Sequence, residues 1–518
     1  MDFVEHFPGA LAERVNQAVE LAKTENVAQR ILAKDASVWT NDDSVAKMIR
    51  NSLGWVTVAG EMLGVADELR AFADEVRGKF RHVMVCGMGG SSLCPEVLAR
   101  TFGPQPGFPE LLVLDSTDPD VIAALAAQIE VEKCLFIITS KSGTTTEPNV
   151  FFKYWFDRVK SGGNFVAITD PGTPLVETAK GHGFKRIFLN QADIGGRYSA
   201  LSYFGMVPAA LMGLDIRKLL QFETDTEAAL RLGVAIGECA NAGRDKLTFV
   251  IDPRLETLGL WIEQLIAEST GKQGKGIVPV VGEPVGAVSA YGEDRVFITI
   301  GLEESDRNFS PVIDHRLNDL YALGAEFFLW EFATAVAGWR LGINPFDQPN
   351  VQEAKDATKQ LLAEFTNHGK LPDTTPETSL ADAVRSQLTQ IKPGDYIAFL
   401  NYIEETPEVD AKLQQIRTRL RDKTHCATTI GYGPRFLHST GQLHKGGPNS
   451  GVFFQLGAKD KTDFPVPGEA YSFSVLKEAQ ALGDFRALTT RGRRVVRLDL
   501  GDDLMSGLDR LEDALQSS

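Results

Sequence analysis

Between residues 82 and 169 the chain repeats one pattern: a short apolar run that breaks into a turn before a helical stretch. "HVMVCGMGG" (82–90), "ELLVLDST" (110–117), "CLFIIT" (134–139) and "FVAIT" (165–169) are its instances. Strands that are apolar on both faces need cover on both, which points to a parallel sheet between layers of helices. A second series contains "LTFVIDP" (247–253) and "RVFITIGLEE" (295–304), then long helices from about Leu317 to Leu341 and through "VQEAKDATKQLLAEF". A third contains "YIAFLNYI", "HCATTIGYG", "GVFFQLG" and "RVVRLDL". Before the first series, "LGWVTVAGEMLGVADELRAFADEV" spaces apolar residues at helical intervals, with few strand signals over 1–78. The polar, Pro/Thr-rich "NHGKLPDTTPETS" (367–379) is the best linker candidate. The expected fold is α/β, with doubly wound parallel sheets flanked by helices. Its expected parts are a helical segment at 1–78, domains at 79–235 and 236–366, and a C-terminal α/β segment at 367–518. The repetition is architectural, without a close-period sequence repeat.

The formal net charge of −16 argues against nucleic acid as the main partner, because phosphate backbones attract basic faces. A small anion held by a few local cations remains compatible with it. Cys86, Cys94, Cys134, Cys239 and Cys426 lie far apart without CxxC spacing, as expected of reduced core residues. "MDFVEHFPGALAERV" lacks the basic start and apolar core of a signal peptide. No run is expected to reach the roughly 18 apolar residues that a membrane helix needs. The cytoplasm, with no membrane partner, is the expected address.

Two loops carry the strongest chemistry. In "CGMGGSSLCPEV", glycines between a strand and a helix would let the backbone approach a phosphate. As a dinucleotide fingerprint it is defective: the third glycine of G-x-G-x-x-G falls on Ser92, although Asp115 ends the next strand where a ribose-binding acid would sit. A plain strand-to-helix turn is the alternative. "SKSGTTTEP" (140–148) then places Ser140, Ser142, Thr144, Thr145 and Thr146 before the next helix. A helix cap explains one or two of these hydroxyls, not five. A cradle for one phosphate explains them all, and the nucleotide motif G-x-x-x-x-G-K-[ST] is absent.

Weaker signals follow. "IGGRYSALS" sets Arg197 after paired glycines, suited to gripping an anion or developing negative charge. In "WIEQLIAESTGKQGKG", Glu263 and Glu268 are five apart and face different sides of a helix. Glu268 lies in the last turn, against the negative end of the helix dipole, an unfavourable place for a carboxylate unless it serves as a base. From spacing alone, a solvated surface glutamate is the simpler interpretation. "NPFDQPNVQEAK" sets Gln348 seven residues before Lys355, two turns of one helical face if the helix starts early enough. "RFLHSTGQLHKGGPN" gathers His438, Gln442, His444 and Lys445. Its H-x₅-H spacing matches no common zinc signature, so acid–base work is expected there and no metal.

Together these stretches resemble the phosphoglucose isomerase family, built from sugar-isomerase (SIS) domains. "GMGGSSL" resembles its first glycine–serine loop, "SKSGTTTE" its phosphate loop, and "GGRYS" the start of its first signature. "ESTGK" resembles the "ESNGK" around its base, and "NPFDQPNVQEAK" its FDQ helix. The chain is also similar to the isomerase part of bacterial transaldolase/phosphoglucose isomerase fusions, without the transaldolase barrel. The resemblance implies reversible isomerisation of D-glucose 6-phosphate to D-fructose 6-phosphate, in glycolysis and gluconeogenesis, without cofactor. Ser140, Lys141, Ser142 and Thr145 would bind the phosphate, with Gly90 and Ser91 nearby. Arg197 would stabilise the enediolate, Glu268 would shuttle the proton, and Gln348 and Lys355 would line the sugar.

The family's ring-opening histidine normally lies within "GQH-x₃-QL", between the base and the FDQ segment. Here His315 occupies that interval without those neighbours, whereas "HSTGQL" reproduces H-x₃-Q-L at His438. His438 is therefore expected to take the role from a relocated segment. The resemblance further implies a homodimer, with the histidine supplied in cis or in trans, and transaldolase as a fused or associated partner in related proteins. A dual glucose/mannose 6-phosphate isomerase, a non-catalytic sugar-phosphate sensor and a nicotinamide oxidoreductase are the rival functions.

Overall fold

The computed structural model describes residues 3–301, 309–372 and 378–517. Three sheets carry them. The first is all parallel, in the spatial order Glu110–Leu114, His82–Cys86, Cys134–Thr139, Phe165–Thr169, Arg186–Leu189. The chain therefore turns one way after His82–Cys86 and the other way before Cys134–Thr139. Ligands of doubly wound sheets bind at such a reversal, outside the carboxyl ends of the strands. The glycine loop and the hydroxyl loop leave those two strand ends.

The second sheet runs Phe3–His6, Val312–Arg316, Arg295–Gly301, Lys246–Ile251, Val278–Val280. All neighbours are parallel except Phe3–His6, which pairs antiparallel with Val312–Arg316. The expected all-helical N-terminus is corrected by this edge strand; four residues are too few to show a period. The third sheet is parallel, in the order Ala427–Tyr432, Tyr396–Tyr402, Gly451–Gly457, Arg494–Asp499. Of the expected linker, residues 373–377 lie outside the described residues.

One helix, Leu323–Leu341, is buried nearly all round, with Phe327, Trp330 and Phe332 wholly inaccessible. It packs on helix Thr226–Asn241 so closely that a Cβ on Gly233 would sit 2.3 Å from the Ala333 carbonyl oxygen. Within Leu320–Leu341 an 18-residue window has mean hydropathy 1.3, long and apolar enough to cross a membrane by length and composition, although charged residues interrupt the stretch. Its apolarity has a sufficient cause in burial, 83% of that window lying inside the protein. All five cysteines are buried and unpaired.

Candidate active site

The glycine loop is shaped by close backbone approach. A Cβ on Gly90 would lie 1.8 Å from the Gly196 carbonyl oxygen, so the first sheet's loop and the "GGRYS" segment can meet only if residue 90 has none. Gly89 adopts φ +55°, and a Cβ there would come within 2.6 Å of Gln264 Nε2 and 2.9 Å of the His438 carbonyl oxygen. Three segments far apart in sequence thus close on one turn. Ser91 is half-buried beside it.

The hydroxyl loop opens helix Thr146–Val159. Ser140 Oγ meets Thr145 Oγ1 at 2.9 Å and accepts from the Gly143 N–H at 3.1 Å. Ser142 Oγ meets Thr144 Oγ1 at 2.9 Å, both exposed. Paired hydroxyls beside the N–H groups of a helix start are groups that can receive an anion. The ammonium of Lys141 is turned elsewhere: it binds Asp170 and, at 2.9 Å, the Ala192 carbonyl oxygen.

Arg197, only 3% exposed, is held on four sides. It donates to Ser269 Oγ (2.7 Å), Gln348 Oε1 (3.0 Å) and the carbonyl oxygens of Pro345 (2.6 Å) and Asp347 (3.1 Å). Its Nη1 also stands 3.2 Å from Glu268 Oε1. Glu268 is therefore no solvated surface residue; its side chain is 12% exposed, near the end of helix Leu258–Thr270. One turn earlier, Gln264 Nε2 donates to Glu268 Oε2 at 3.2 Å and to the His438 carbonyl oxygen at 2.8 Å. Glu263, on another face of that helix, is pushed up to about 8 by burial, against the nearby charges of Arg417 and Arg435.

His438 ends the short 3₁₀ turn Arg435–His438 that follows the third sheet's edge strand. Its Nε2 lies 3.2 Å from Glu147 Oε1, in the first turn of the hydroxyl-loop helix. The same Oε1 accepts from Gln480 Nε2 at 2.6 Å, and Gln480 Oε1 accepts from Thr117 Oγ1 at 2.7 Å. Burial opposes ionisation of Glu147, but the charge and hydrogen bond of His438 and the charge of Lys355 outweigh it and hold the carboxyl below its ordinary range. A cavity of about 120 Å³ lies here, lined by Thr144, Thr145, Glu147, Lys355, His438 and Gln480 among others. Glu147 carried no assigned role in the sequence because its partner lies 291 residues away.

The remaining sequence candidates sort by position. Lys355 projects from helix Val351–His368, which starts after Gln348, so those two do not share a helical face; Gln348 acts from the preceding loop. Gln442 ties three segments together: Nε2 donates to the Gly271 carbonyl oxygen and Asn350 Oδ1, both at 2.8 Å, and Oε1 accepts from the Asn350 N–H at 2.8 Å. His444 is a core residue beside Phe453, with its pKa driven well below the ordinary imidazole value by burial and by Lys445 and Arg493. Lys445 is buried against Asp484 at 2.6 Å. His315 is buried in the second sheet against Glu326. Asp115 does not stand free for a ribose: Arg435 grips both its oxygens at 2.9 Å. Lys272, unassigned by sequence, is buried against Asp347 at 2.7 Å and pushed down to about 8 by burial and Arg197.

Residues 12–228 match the Phosphoglucose isomerase family profile. Similarity to curated family proteins extends beyond that span. A glucose-6-phosphate isomerase of Heliobacterium modesticaldum is 27% identical over 360 residues, covering 55% of this chain and 80% of that protein. Over residues 12–228 the chain is similar to the phosphoglucose isomerase family. A glucose-6-phosphate isomerase of a Cyanothece species is 32% identical over 245 residues, covering 41% of this chain and 46% of that protein. The crystal structure of a glucose-6-phosphate isomerase from Chlamydia trachomatis superposes with a TM-score of 0.53 at 18% identity, covering 72% of this chain and 89% of that one. That last likeness is one of fold. Glu268, Gln348, Lys355 and His438 all lie beyond the family-profile match, so their grouping rests on geometry.

Proposed function

We propose that this sugar-phosphate isomerase interconverts D-glucose 6-phosphate and D-fructose 6-phosphate through a cis-enediol(ate), as a cytoplasmic enzyme of glycolysis and gluconeogenesis. One observation carries the proposal. A buried carboxylate pinned by a guanidinium (Glu268–Arg197) shares Gln264 with the segment that carries a histidine–carboxylate pair (His438–Glu147) beside a hydroxyl cradle.

In the proposed mechanism Ser140, Ser142, Thr145 and the main-chain N–H groups at the helix start hold the phosphate, with Gly90 and Ser91 closing over the sugar. His438 and Lys355 open the ring: a proton is delivered to the ring oxygen as the O1 proton leaves. Glu147 offsets the charge that appears on the imidazole. Glu268 then removes the C2 proton, and Arg197 faces the negative charge that develops on the enediolate oxygens. The same carboxylate returns the proton to C1. Gln348 orients Arg197 and lines the sugar. In this mechanism His438 acts in cis, a reading supported by its pairing with Glu147 of its own chain.

The test is a coupled assay with fructose 6-phosphate, EDTA, and a dehydrogenase that reports glucose 6-phosphate. Wild type should turn over, Glu268→Gln should not, and His438→Ala should be strongly impaired. Normal turnover in His438→Ala would refute its role. Binding of sugar phosphate without turnover in wild type would favour a sensor. A mannose 6-phosphate arm distinguishes the dual isomerase.

A further inference from the structure

We infer that Arg435 is a positioning residue that sets the ring-opening histidine, by locking the 3₁₀ turn of His438 onto Asp115 at the carboxyl end of the first sheet. The inference rests on the ring-opening role of His438 proposed above.

A four-residue 3₁₀ turn has poor hydrogen-bond geometry and does not hold its own orientation. Its residues i and i+3 eclipse, so Arg435 and His438 stand on the same edge of the turn. Phe436, between them, is buried against Tyr402 of the third sheet, with ring centroids 5.5 Å apart. Arg435 points the other way, to Asp115. Its Nε and Nη2 donate to Oδ2 and Oδ1, each at 2.9 Å, a two-bond fork that fixes the guanidinium plane. Asp115 is 2% exposed and also accepts from Ser92 Oγ at 3.3 Å, so the fork ends on the glycine–serine loop. Glu405 at 3.6 Å and Glu96 at 4.0 Å surround the same guanidinium. The fork thus spans from the segment that carries His438 to the sheet that carries Glu147 and the phosphate cradle.

The test compares wild type, Arg435→Lys, Arg435→Gln and the double variant Arg435→Gln/Asp115→Asn. Two readouts are taken: steady-state isomerisation, and enzyme-catalysed anomerisation of glucose 6-phosphate by exchange NMR, which reports ring opening alone. Arg435→Gln should lose about tenfold or more in kcat and in anomerisation, with KM changed less than about threefold. Arg435→Lys, which keeps the charge but loses the fork, should recover part of both. The double variant removes the most closely held of the three carboxylates that face Arg435, so it should regain part of the thermal stability without regaining anomerisation. Recovery of anomerisation in the double variant, or unchanged anomerisation in a folded Arg435→Gln, would overturn the inference. An inactive wild type would instead overturn the isomerase proposal.

Discussion

Replacing Glu147 by Gln separates charge from geometry in the proposed ring-opening pair. Both His438 Nε2 (3.2 Å) and Gln480 Nε2 (2.6 Å) meet the same oxygen, Oε1. A glutamine carbonyl oxygen in that place accepts both bonds unchanged, and only the negative charge is lost. At 3.2 Å the gross attraction between unit charges is about 5 kcal/mol for an effective dielectric of about 20. Desolvation of a carboxylate as buried as Glu147 cancels much of that, leaving about 1.5–3 kcal/mol for a hydrogen bond to a charged group. If that charge supports the imidazolium formed during ring opening, kcat should fall about ten- to a hundredfold. The coupled isomerase assay measures it, with circular dichroism as the control for folding. Although burial opposes it, the charge and hydrogen bond of His438 hold Glu147 below the ordinary carboxylate range, so the native side chain carries the charge that the substitution removes. A Glu147→Gln enzyme with wild-type kcat would refute the electrostatic role of the pair.

Other outcomes follow from the same geometry. Gly90→Ala should destabilise the protein by about 1–3 kcal/mol and impair turnover, because its Cβ would sit 1.8 Å from the Gly196 carbonyl oxygen beside Arg197; thermal melts and kcat together check this. The double substitution Ser140→Ala/Thr145→Ala should raise KM for the sugar phosphate about tenfold or more with a smaller change in kcat, since it removes uniform binding. Glu263 is pushed up from 4.5 to about 8 by burial, so the folded state holds its proton more tightly than the unfolded state. Its contribution to stability is full below 4.5 and is lost as pH rises toward 8, so Glu263→Gln should flatten the fall in melting temperature over that window.

The sequence exposed those elements whose burial is uniform. Cys134–Thr139 and Phe165–Thr169 are buried at every position and were readable as continuous apolar runs. Arg186–Leu189 and Val278–Val280 were not, being four and three residues long, and Phe3–His6 is an edge strand whose pairing lies more than 300 residues away. The helix Leu323–Leu341 hid its membrane-like length because Glu326, Glu331 and Arg340 interrupt it in the sequence, while the fold encloses both acids. In the site, loop chemistry was legible where several residues of one kind cluster, as in the hydroxyl loop. Roles that depend on a single distant partner were not. Glu147 looks like any glutamate in a first helical turn until His438 is set against it, and Asp115 looks available for a ribose until Arg435 is seen on both its oxygens. Spacing alone favoured a surface position for Glu268; Arg197 and Gln264 draw it inside.

The proposed role of Glu268 is to move one proton between C1 and C2 of a hexose 6-phosphate. Fructose 6-phosphate incubated with the enzyme in deuterated water, with the product followed by proton NMR, tests it most directly. Deuterium should appear at C2 of the glucose 6-phosphate formed and at C1 of recovered fructose 6-phosphate, with both isomerisation and exchange abolished in Glu268→Gln. Continued exchange at C1 or C2 in a folded Glu268→Gln enzyme would contradict it.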